Sequence, residues 1–265
     1  MDLGISGKRA LVTGGINGIG GGISRGLLSQ GCYVCATTRR EADGAEFLSG
    51  LSADERNRFE VWLGDVSSED ECARLIAEFR KKPENFDILV NNAGHTLGVT
   101  DPFCSLESWK SVMRLNFELA VQLVNQLAPA MITRGWGRIV NISSCAGLEN
   151  SGPVTFSTAK AALTAYTRSM GRVLATMGGA VVMTALYPGV IETVGGHWEE
   201  VRRTDPERVT RYIEQRCPLG RFGSIDEFVP TVLFFCSQHA SFAHGSIVGI
   251  DGGQSKHYNY NIYLD

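Results

Sequence analysis

Short apolar runs alternate with longer stretches of helical periodicity along most of the chain. The runs predict seven strands: Arg9–Val12, Tyr33–Thr37, Glu60–Leu63, Ile88–Val90, Gly137–Ile142, Val181–Tyr187 and Ser246–Ile250. The stretches between them predict helices near 19–29, 40–50, 69–81, 105–134, 153–177 and 225–237. Several strands are almost wholly apolar, as expected for parallel strands covered by helices on both faces. The alternation predicts an α/β fold with a doubly wound parallel sheet of about seven strands.

The segment 192–217 departs from this alternation. It contains Gly195-Gly196, His197-Trp198 and a dense mixture of charges of both signs. It follows the end of a predicted strand, and ligands bind beyond the carboxyl ends of strands in open α/β sheets. That position favours a substrate lid over a solvated helical insertion, which is the other interpretation. No repeat or composition break divides the remainder, so 1–265 is predicted to be one domain.

Composition and charge narrow the classes of function. The chain is 43% hydrophobic and 20% charged, and its net charge is −3, which offers no general attraction for nucleic acid or anionic membrane. No stretch approaches the roughly 20 apolar residues of a membrane span, and no cationic, apolar signal segment is evident. A cytoplasmic protein that binds neither nucleic acid nor membrane is expected. The seven cysteines lack paired CxxC spacing, so free thiols and no metal site are expected.

A glycine-rich loop follows the first predicted strand and opens the first predicted helix. Residues 13–20 read Thr-Gly-Gly-Ile-Asn-Gly-Ile-Gly, which places Gly14, Gly18 and Gly20 at a TGxxxGxG spacing. Glycine permits the sharp turn and lets backbone N–H groups approach a pyrophosphate at the positive end of a helix. In this strand–turn–helix context, the loop predicts a dinucleotide site in a Rossmann-like fold.

The glycine loop and Asn91-Asn92-Ala93-Gly94 together resemble the short-chain dehydrogenase/reductase family. The resemblance continues through Asn116, Ser143-Ser144, Lys160 and the turn 188–193, and it covers essentially the whole chain. It implies an oxidoreductase that interconverts a carbonyl and a secondary alcohol, and a homo-oligomer, most commonly a tetramer. The cofactor-binding residues that it implies are Gly14, Asn17, Gly18, Ile19, Gly20, Thr38, Arg39, Asp65, Val66, Asn92, Ala93, Gly94, Lys160, Pro188, Gly189, Ile191 and Thr193.

The end of the second predicted strand favours NADP(H) over NAD(H). A carboxylate there would accept hydrogen bonds from the adenosine ribose and repel a 2′-phosphate. This chain has Thr38, Arg39 and Arg40 instead, with no carboxylate before Glu41. A guanidinium forms a planar, charge-assisted contact with phosphate, and Arg39 is predicted to make it. The other interpretation is that both arginines simply begin an exposed helix.

The implied reaction centre lacks one hydroxyl. In the family, a tyrosine four residues before the lysine exchanges the proton with the substrate, and the lysine lowers the pKa of that tyrosine. A serine holds the substrate oxygen, and an asparagine orders the path of the proton. Asn116, Ser144 and Lys160 stand at three of these positions, but the fourth is Phe156. A phenyl ring has no ionisable proton, so activity is predicted to be impaired.

Three explanations of Phe156 remain open from the sequence. The chain is an enzyme whose tyrosine was deliberately replaced, or a natural variant that uses another donor such as His95 or water, or a non-catalytic NADP(H)-binding sensor or scaffold. His95, Ser144, Glu149 and His197 are candidate substrate-side residues, and their polarity favours a small hydroxylated substrate. The aromatic tail 256–265 is predicted to pack against the body or a neighbouring subunit.

Overall fold

Seven parallel strands form one sheet in the computed structural model, which describes residues 1–80, 85–149 and 151–255. The strands are β1 Arg9–Val12, β2 Tyr33–Thr38, β3 Phe59–Leu63, β4 Ile88–Asn91, β5 Gly137–Ile142, β6 Val181–Pro188 and β7 Ile247–Ile250. Their order is β3-β2-β1-β4-β5-β6-β7, and every neighbouring pair is parallel. The order reverses between β1 and β4, and the crevice at such a switch point is where doubly wound sheets bind ligands. The predicted fold is confirmed.

Helices cover both faces of the sheet. They are α1 Gly18–Ser29, α2 Glu41–Ser49, α3 Ala53–Asn57, α4 Glu69–Arg80, α5 Leu106–Met113, α6 Leu119–Arg134, α7 Val154–Thr176, α8 His197–Thr204, α9 Pro206–Arg216 and α10 Ile225–Cys236. All residues of β4 and β5 are buried, because one side-chain face packs under α1 and α10 and the other under α4, α6 and α7. Two apolar cores, one on each face, therefore clamp the central strands and hold their carboxyl ends in place.

Short α3 was not predicted. Its five residues are too few to show helical periodicity, and a capping box supports it instead: the Ser52 hydroxyl accepts from the Glu55 N–H while the Glu55 carboxylate accepts from the Ser52 N–H. Observed strand ends differ from the predicted ones by one residue at several places, including Thr38 and Asn91, which extend β2 and β4.

The predicted helix 105–134 is not continuous. A π-helical turn, Arg114–Glu118, separates α5 from α6. The Asn116 side-chain amide donates to the Val112 carbonyl, 2.9 Å away, so a side chain enters the i→i−4 hydrogen-bond ladder. Such an insertion widens a helix locally, and single π turns often accompany functional sites. The interruption turns the Asn116 amide towards the carboxyl end of β4.

The segment 192–217 contains α8 and α9, so its helical character is real. The Trp198 ring packs against Tyr212 and Phe222, with ring-centroid distances of 4.3 and 5.0 Å. A single backbone bridge, between Ile191 and Gly223, joins the two chain ends that flank the segment. The segment thus carries a small apolar cluster of its own, apart from the two cores of the sheet.

The tail 256–265, predicted to pack on the body or a partner, lies outside the described residues. Within the described residues, no helix combines the length and apolar character that crossing a bilayer requires.

Candidate active site

A cleft of about 870 Å³ opens at the carboxyl edge of the sheet, above the switch point between β1 and β4. Most of the residues predicted to contact cofactor or substrate line it. The lining includes Gly14, Asn17, Gly18, Ile19, Gly20, Thr38, Arg39, Asp65, Val66, Asn92, Ala93, Gly94, His95, Ser144, Phe156, Lys160, Pro188, Ile191 and Thr193. The fold therefore brings residues that span 180 positions of the sequence together in one groove.

The glycine loop fits a pyrophosphate. Gly14 and Gly18 have φ values of +59° and +54°, in the left-handed region that favours glycine. A Cβ on Gly20 would lie 2.1 Å from the Gly14 carbonyl oxygen, so only glycine lets the start of α1 approach β1 this closely. No side chain caps α1, and its first three residues line the cleft, so this helix end is open to an anion.

Two buried threonines brace this loop and were missed from the sequence. The Thr13 hydroxyl accepts from the backbone N–H groups of Asn92 and Ala93, each at 3.0 Å. The Thr37 hydroxyl accepts from the Gly14 N–H at 2.9 Å. Thr13 directly follows β1 and Thr37 is the second-last residue of β2, and this position near a strand end was the only signal in the sequence that could have revealed them. They tie β1, β2 and β4 together directly beneath the predicted phosphate site.

The two arginines after β2 have different surroundings. Arg40 precedes α2 and forms an ion pair with Asp43, with 2.7 Å between Nη2 and Oδ2. Arg39 is exposed on the cleft and has no ion-pair partner among the described residues. Glu41 begins α2 and is not part of the lining. An unpaired guanidinium is therefore presented at the adenosine end of the groove.

Asn116 lies under the opposite end of the cleft, buried to 2% exposure. Its Oδ1 accepts from the His95 backbone N–H at 3.0 Å, and its Nδ2 donates to the His95 carbonyl at 2.8 Å. This pair of bonds fixes the chain that leaves β4. The His95 Nδ1 in turn accepts from the Leu97 N–H at 2.8 Å, which leaves Nε2 to carry the hydrogen of a neutral ring.

The consecutive serines after β5 have separate roles. The Ser143 hydroxyl is buried and bonds with the Lys160 carbonyl and the Thr164 hydroxyl, both on α7. Ser144 is partly exposed on the cleft, and its hydroxyl oxygen accepts from the Ala146 N–H at 3.1 Å. The Ser144 hydroxyl hydrogen remains available for a ligand oxygen, whereas the Ser143 hydroxyl is engaged on α7.

Lys160 reaches the cleft from α7. It is only 4% exposed, and burial lowers the pKa of its ammonium group from 10.5 to about 8. Its Nζ donates to the Ile142 carbonyl at 2.8 Å and lies 5.7 Å from the centre of the Phe156 ring. A cation over an aromatic face at this distance is weakly attracted to it. Lys160 and Phe156 therefore form the floor of the cleft. The phenyl ring of Phe156 occupies the position where the family resemblance implies a tyrosine.

Four predicted residues lie away from the cleft surface. Asn116 lies beneath the surface, as described. Gly189 turns towards a separate cavity of about 180 Å³ beside Gln254. His197 begins α8, where its ring packs beside Trp198, and Glu149 follows the short turn after β5; neither belongs to the lining in the described residues. Loop position alone suggested His197 and Glu149, and their helix and turn direct them elsewhere.

The side chains of the cleft suit binding, positioning and proton transfer, and two other kinds of chemistry lack the groups that they need. Burial raises the pKa of the Cys145 thiol, next to Ser144, to about 12, which makes it a poor nucleophile. Among the described residues, no group of three or more His, Cys, Asp or Glu side chains is arranged to hold a metal ion.

A model of the family described as short chain dehydrogenase matches residues 8–203. The chain belongs to this short-chain dehydrogenase family. It is 34% identical to the 3-oxoacyl-acyl-carrier-protein reductase of Aquifex aeolicus over 258 residues, covering 96% of this chain and 99% of that protein. It is 32% identical to the acetoacetyl-CoA reductase of Allochromatium vinosum over 250 residues, covering 94% and 98%. The family resemblance drawn from the motifs is confirmed.

Solved structures with the same fold contain a bound dinucleotide. The L-sorbose reductase of Gluconobacter frateurii, complexed with NADPH and L-sorbose, superposes with a TM-score of 0.88 at 27% identity, covering 97% of this chain and 99% of that one. A 3-oxoacyl-acyl-carrier-protein reductase of Agrobacterium tumefaciens with NADP bound superposes with a TM-score of 0.86 at 28% identity, covering 95% and 96%. The proteins that this chain resembles thus include reductases of quite different carbonyl compounds.

Proposed function

We propose that this short-chain dehydrogenase binds NADP(H) in the cleft and interconverts a carbonyl and a secondary alcohol, with turnover impaired by Phe156. One observation carries the proposal: Lys160, Ser144 and the loop that follows β4 meet around one open groove. Asn116 holds that loop through the His95 backbone. Its relatives are reductases, and the sorbose complex supports a small, hydroxylated substrate.

Each polar residue of the groove has a separate role in this proposal. The nicotinamide of the bound cofactor would supply or accept the hydride. The Ser144 hydroxyl would donate a hydrogen bond to the substrate oxygen, and the Lys160 ammonium would favour negative charge beside it. Asn116 acts indirectly, because its two bonds to the His95 backbone hold the loop that follows β4.

Phe156 removes the group that would complete proton transfer. General acid–base catalysis contributes roughly 10²–10⁴-fold to rates, so a chain without the phenol should keep binding and lose most turnover. The ring keeps its position over Lys160, and adding one hydroxyl would place a phenol beside that ammonium.

The test compares the chain with Phe156→Tyr. NADPH and NADH binding is measured first by fluorescence titration, and carbonyl reduction is then followed with a hydroxylated ketone, a 3-oxoacyl thioester and a simple aryl ketone. We expect equal cofactor affinity and at least 100-fold faster turnover in the tyrosine variant. Phe156→Leu is the control, which alters the ring without adding a hydroxyl. Fast reduction by the unaltered chain would refute the claim of impairment.

A second candidate is a non-catalytic NADP(H)-binding sensor or scaffold, and Phe156 itself is the observation that favours it. This candidate predicts tight NADPH binding and no reduction of any of the three compounds, by either the unaltered chain or Phe156→Tyr. If Phe156→Tyr gains turnover, the non-catalytic candidate is excluded. A groove that does not position a substrate carbonyl could not use the new phenol.

The preference for NADP(H) over NAD(H) is part of the proposal and rests on the exposed, unpaired Arg39. Arg39→Ala should weaken NADPH binding at least tenfold and leave NADH binding within twofold, because only NADPH carries the 2′-phosphate. Equal weakening of both cofactors would contradict the assignment of Arg39.

We further propose that 1–265 acts as one dinucleotide-binding oxidoreductase domain, with 192–217 as its substrate lid. The end of β6 leads directly into this segment, and Ile191 and Thr193 line the cleft. The assignments of His95, Glu149 and His197 to the substrate side remain proposals. Only His95 borders the groove in the described residues, so a lid movement would be needed to bring His197 to a substrate.

A cytoplasmic homotetramer is the proposed state of the protein. The exposed apolar side chains of Leu106 on α5, of Val173 on α7 and of Met177 just after α7 support association through the central helices. Light scattering should give four times the chain mass of 28.8 kDa.

A further inference from the structure

The carboxylate of Asp43 is the centre of a small network in the wall of the cleft. Its Oδ2 accepts from the Asn17 amide at 2.6 Å, from Arg40 Nε at 2.8 Å and from Arg40 Nη2 at 2.7 Å. The Asp43 side chain is 17% exposed, and all three residues line the groove. The network joins the glycine loop to the first turn of α2, the two segments that border the predicted 2′-phosphate position.

The network changes the charge presented to a phosphate. Arg40 uses two of its donors on Asp43, and the opposite charges offset one another at this distance. Arg39 has no such partner among the described residues. Arg39, Arg40 and Asp43 together therefore give this part of the wall a net charge of +1 rather than the +2 of its two guanidinium groups.

We propose that Asp43 is a specificity-determining residue that limits the affinity for the 2′-phosphate of NADP(H) by holding Arg40 and offsetting its charge. The proposal rests on the proposed NADP(H) site. It assigns the phosphate contact to Arg39 and makes Arg40 a second guanidinium that Asp43 restrains. The chain accordingly discriminates less strongly between NADPH and NADH than its two consecutive arginines suggest.

A structural role alone would produce a different result. Asp43 lies in the first turn of α2, where a carboxylate interacts favourably with the helix dipole, and its pair with Arg40 spans three residues. Losing those interactions would lower stability and affect both cofactors equally. A restraint on Arg40, in contrast, changes NADPH binding alone and depends on Arg40 being present.

The test measures NADPH and NADH affinities of Asp43→Asn by calorimetry at low and moderate salt. Asparagine retains an oxygen that can accept from Asn17 but removes the charge. A released Arg40 would add one exposed, charge-assisted contact to the phosphate, and such a contact changes affinity by up to about fivefold. We therefore expect about fivefold tighter NADPH binding, less at the higher salt, and NADH binding within twofold.

Two further variants make the outcome specific. Adding Arg40→Ala to Asp43→Asn should cancel the gain in NADPH affinity that Asp43→Asn produces alone, because the gain depends on the released Arg40. Glu41→Gln is the matched control, because it removes an exposed carboxylate from the same helix end outside the groove; it should change NADPH binding less than twofold.

Each result bears on the inference. Weaker NADPH binding in Asp43→Asn, an equal change for both cofactors, or a gain that survives the loss of Arg40 would overturn it. If NADPH binds and Arg39→Ala weakens it selectively while Asp43→Asn has no effect, only the role of Asp43 fails. If NADPH does not bind the unaltered chain, the proposed function itself fails.

Discussion

Replacing Lys160 by methionine should change the stability of the protein in a pH-dependent way. Lys160 is buried, and burial lowers the pKa of its ammonium from 10.5 to about 8. Between these values the unfolded chain binds a proton that the folded chain has lost, so stability rises with pH. One pKa unit corresponds to about 1.4 kcal/mol, and the full rise is about 3 kcal/mol. Below pH 8 the buried charge therefore destabilises the fold by that amount.

Methionine removes the charge and fills a similar volume. It also leaves the Ile142 carbonyl without the Nζ donor, which costs about 1–3 kcal/mol. At pH 7, Lys160→Met should therefore be between equally stable and about 2 kcal/mol more stable than the unaltered chain. As pH rises from 7 to 10.5, its advantage should fall by about 3 kcal/mol and become a deficit.

Urea denaturation of both proteins at several pH values, without cofactor, measures this difference. Subtracting the two curves cancels the other titrating groups, including the buried thiols. Lys110→Met, at an exposed position on α5, is the matched control and should show a small, constant difference. A stability difference for Lys160→Met that stays constant across this pH range would refute the reasoning, because it would mean that the ammonium is not desolvated in the fold.

Three other outcomes are expected. Gly20→Ala would place a Cβ 2.1 Å from the Gly14 carbonyl oxygen, so it should weaken NADPH binding more than tenfold in calorimetry; an unchanged affinity would contradict the close approach. Trp198→Ala removes the ring that packs on Tyr212 and Phe222 and should cost about 2 kcal/mol. Hydrogen exchange should show reduced amide protection within 197–216. A uniform reduction of protection across the sheet would argue against a separate lid. Cys145, with its pKa raised to about 12, should resist iodoacetamide at pH 8 in the native protein, and its alkylation there would show that the thiol is not buried.

Local patterns were sufficient for much of the fold. Apolar runs located all seven strands within a residue or two, because a strand buried on both faces must be apolar along its length. The glycine spacing located the start of α1, because positive φ values and close backbone contact restrict those positions to glycine. The helix 105–134 was predicted as one piece, since nothing in its periodicity reveals that the Asn116 amide would bond to Val112.

What the sequence determined by itself about this protein is its strand–helix order, its glycine loop and the absence of a hydroxyl at Phe156, because each depends on residue type and neighbours in the chain. Tertiary structure decided that Asp43, the local partner of Arg40, also meets Asn17 across 26 positions of sequence. It likewise decided that the Ser143 hydroxyl bonds to α7 while the Ser144 hydroxyl hydrogen stays available in the cleft, and that burial desolvates the Lys160 ammonium. The burial, charge pairing and orientation of a side chain depend on the residues packed around it. Packing brings together residues that are far apart in the chain.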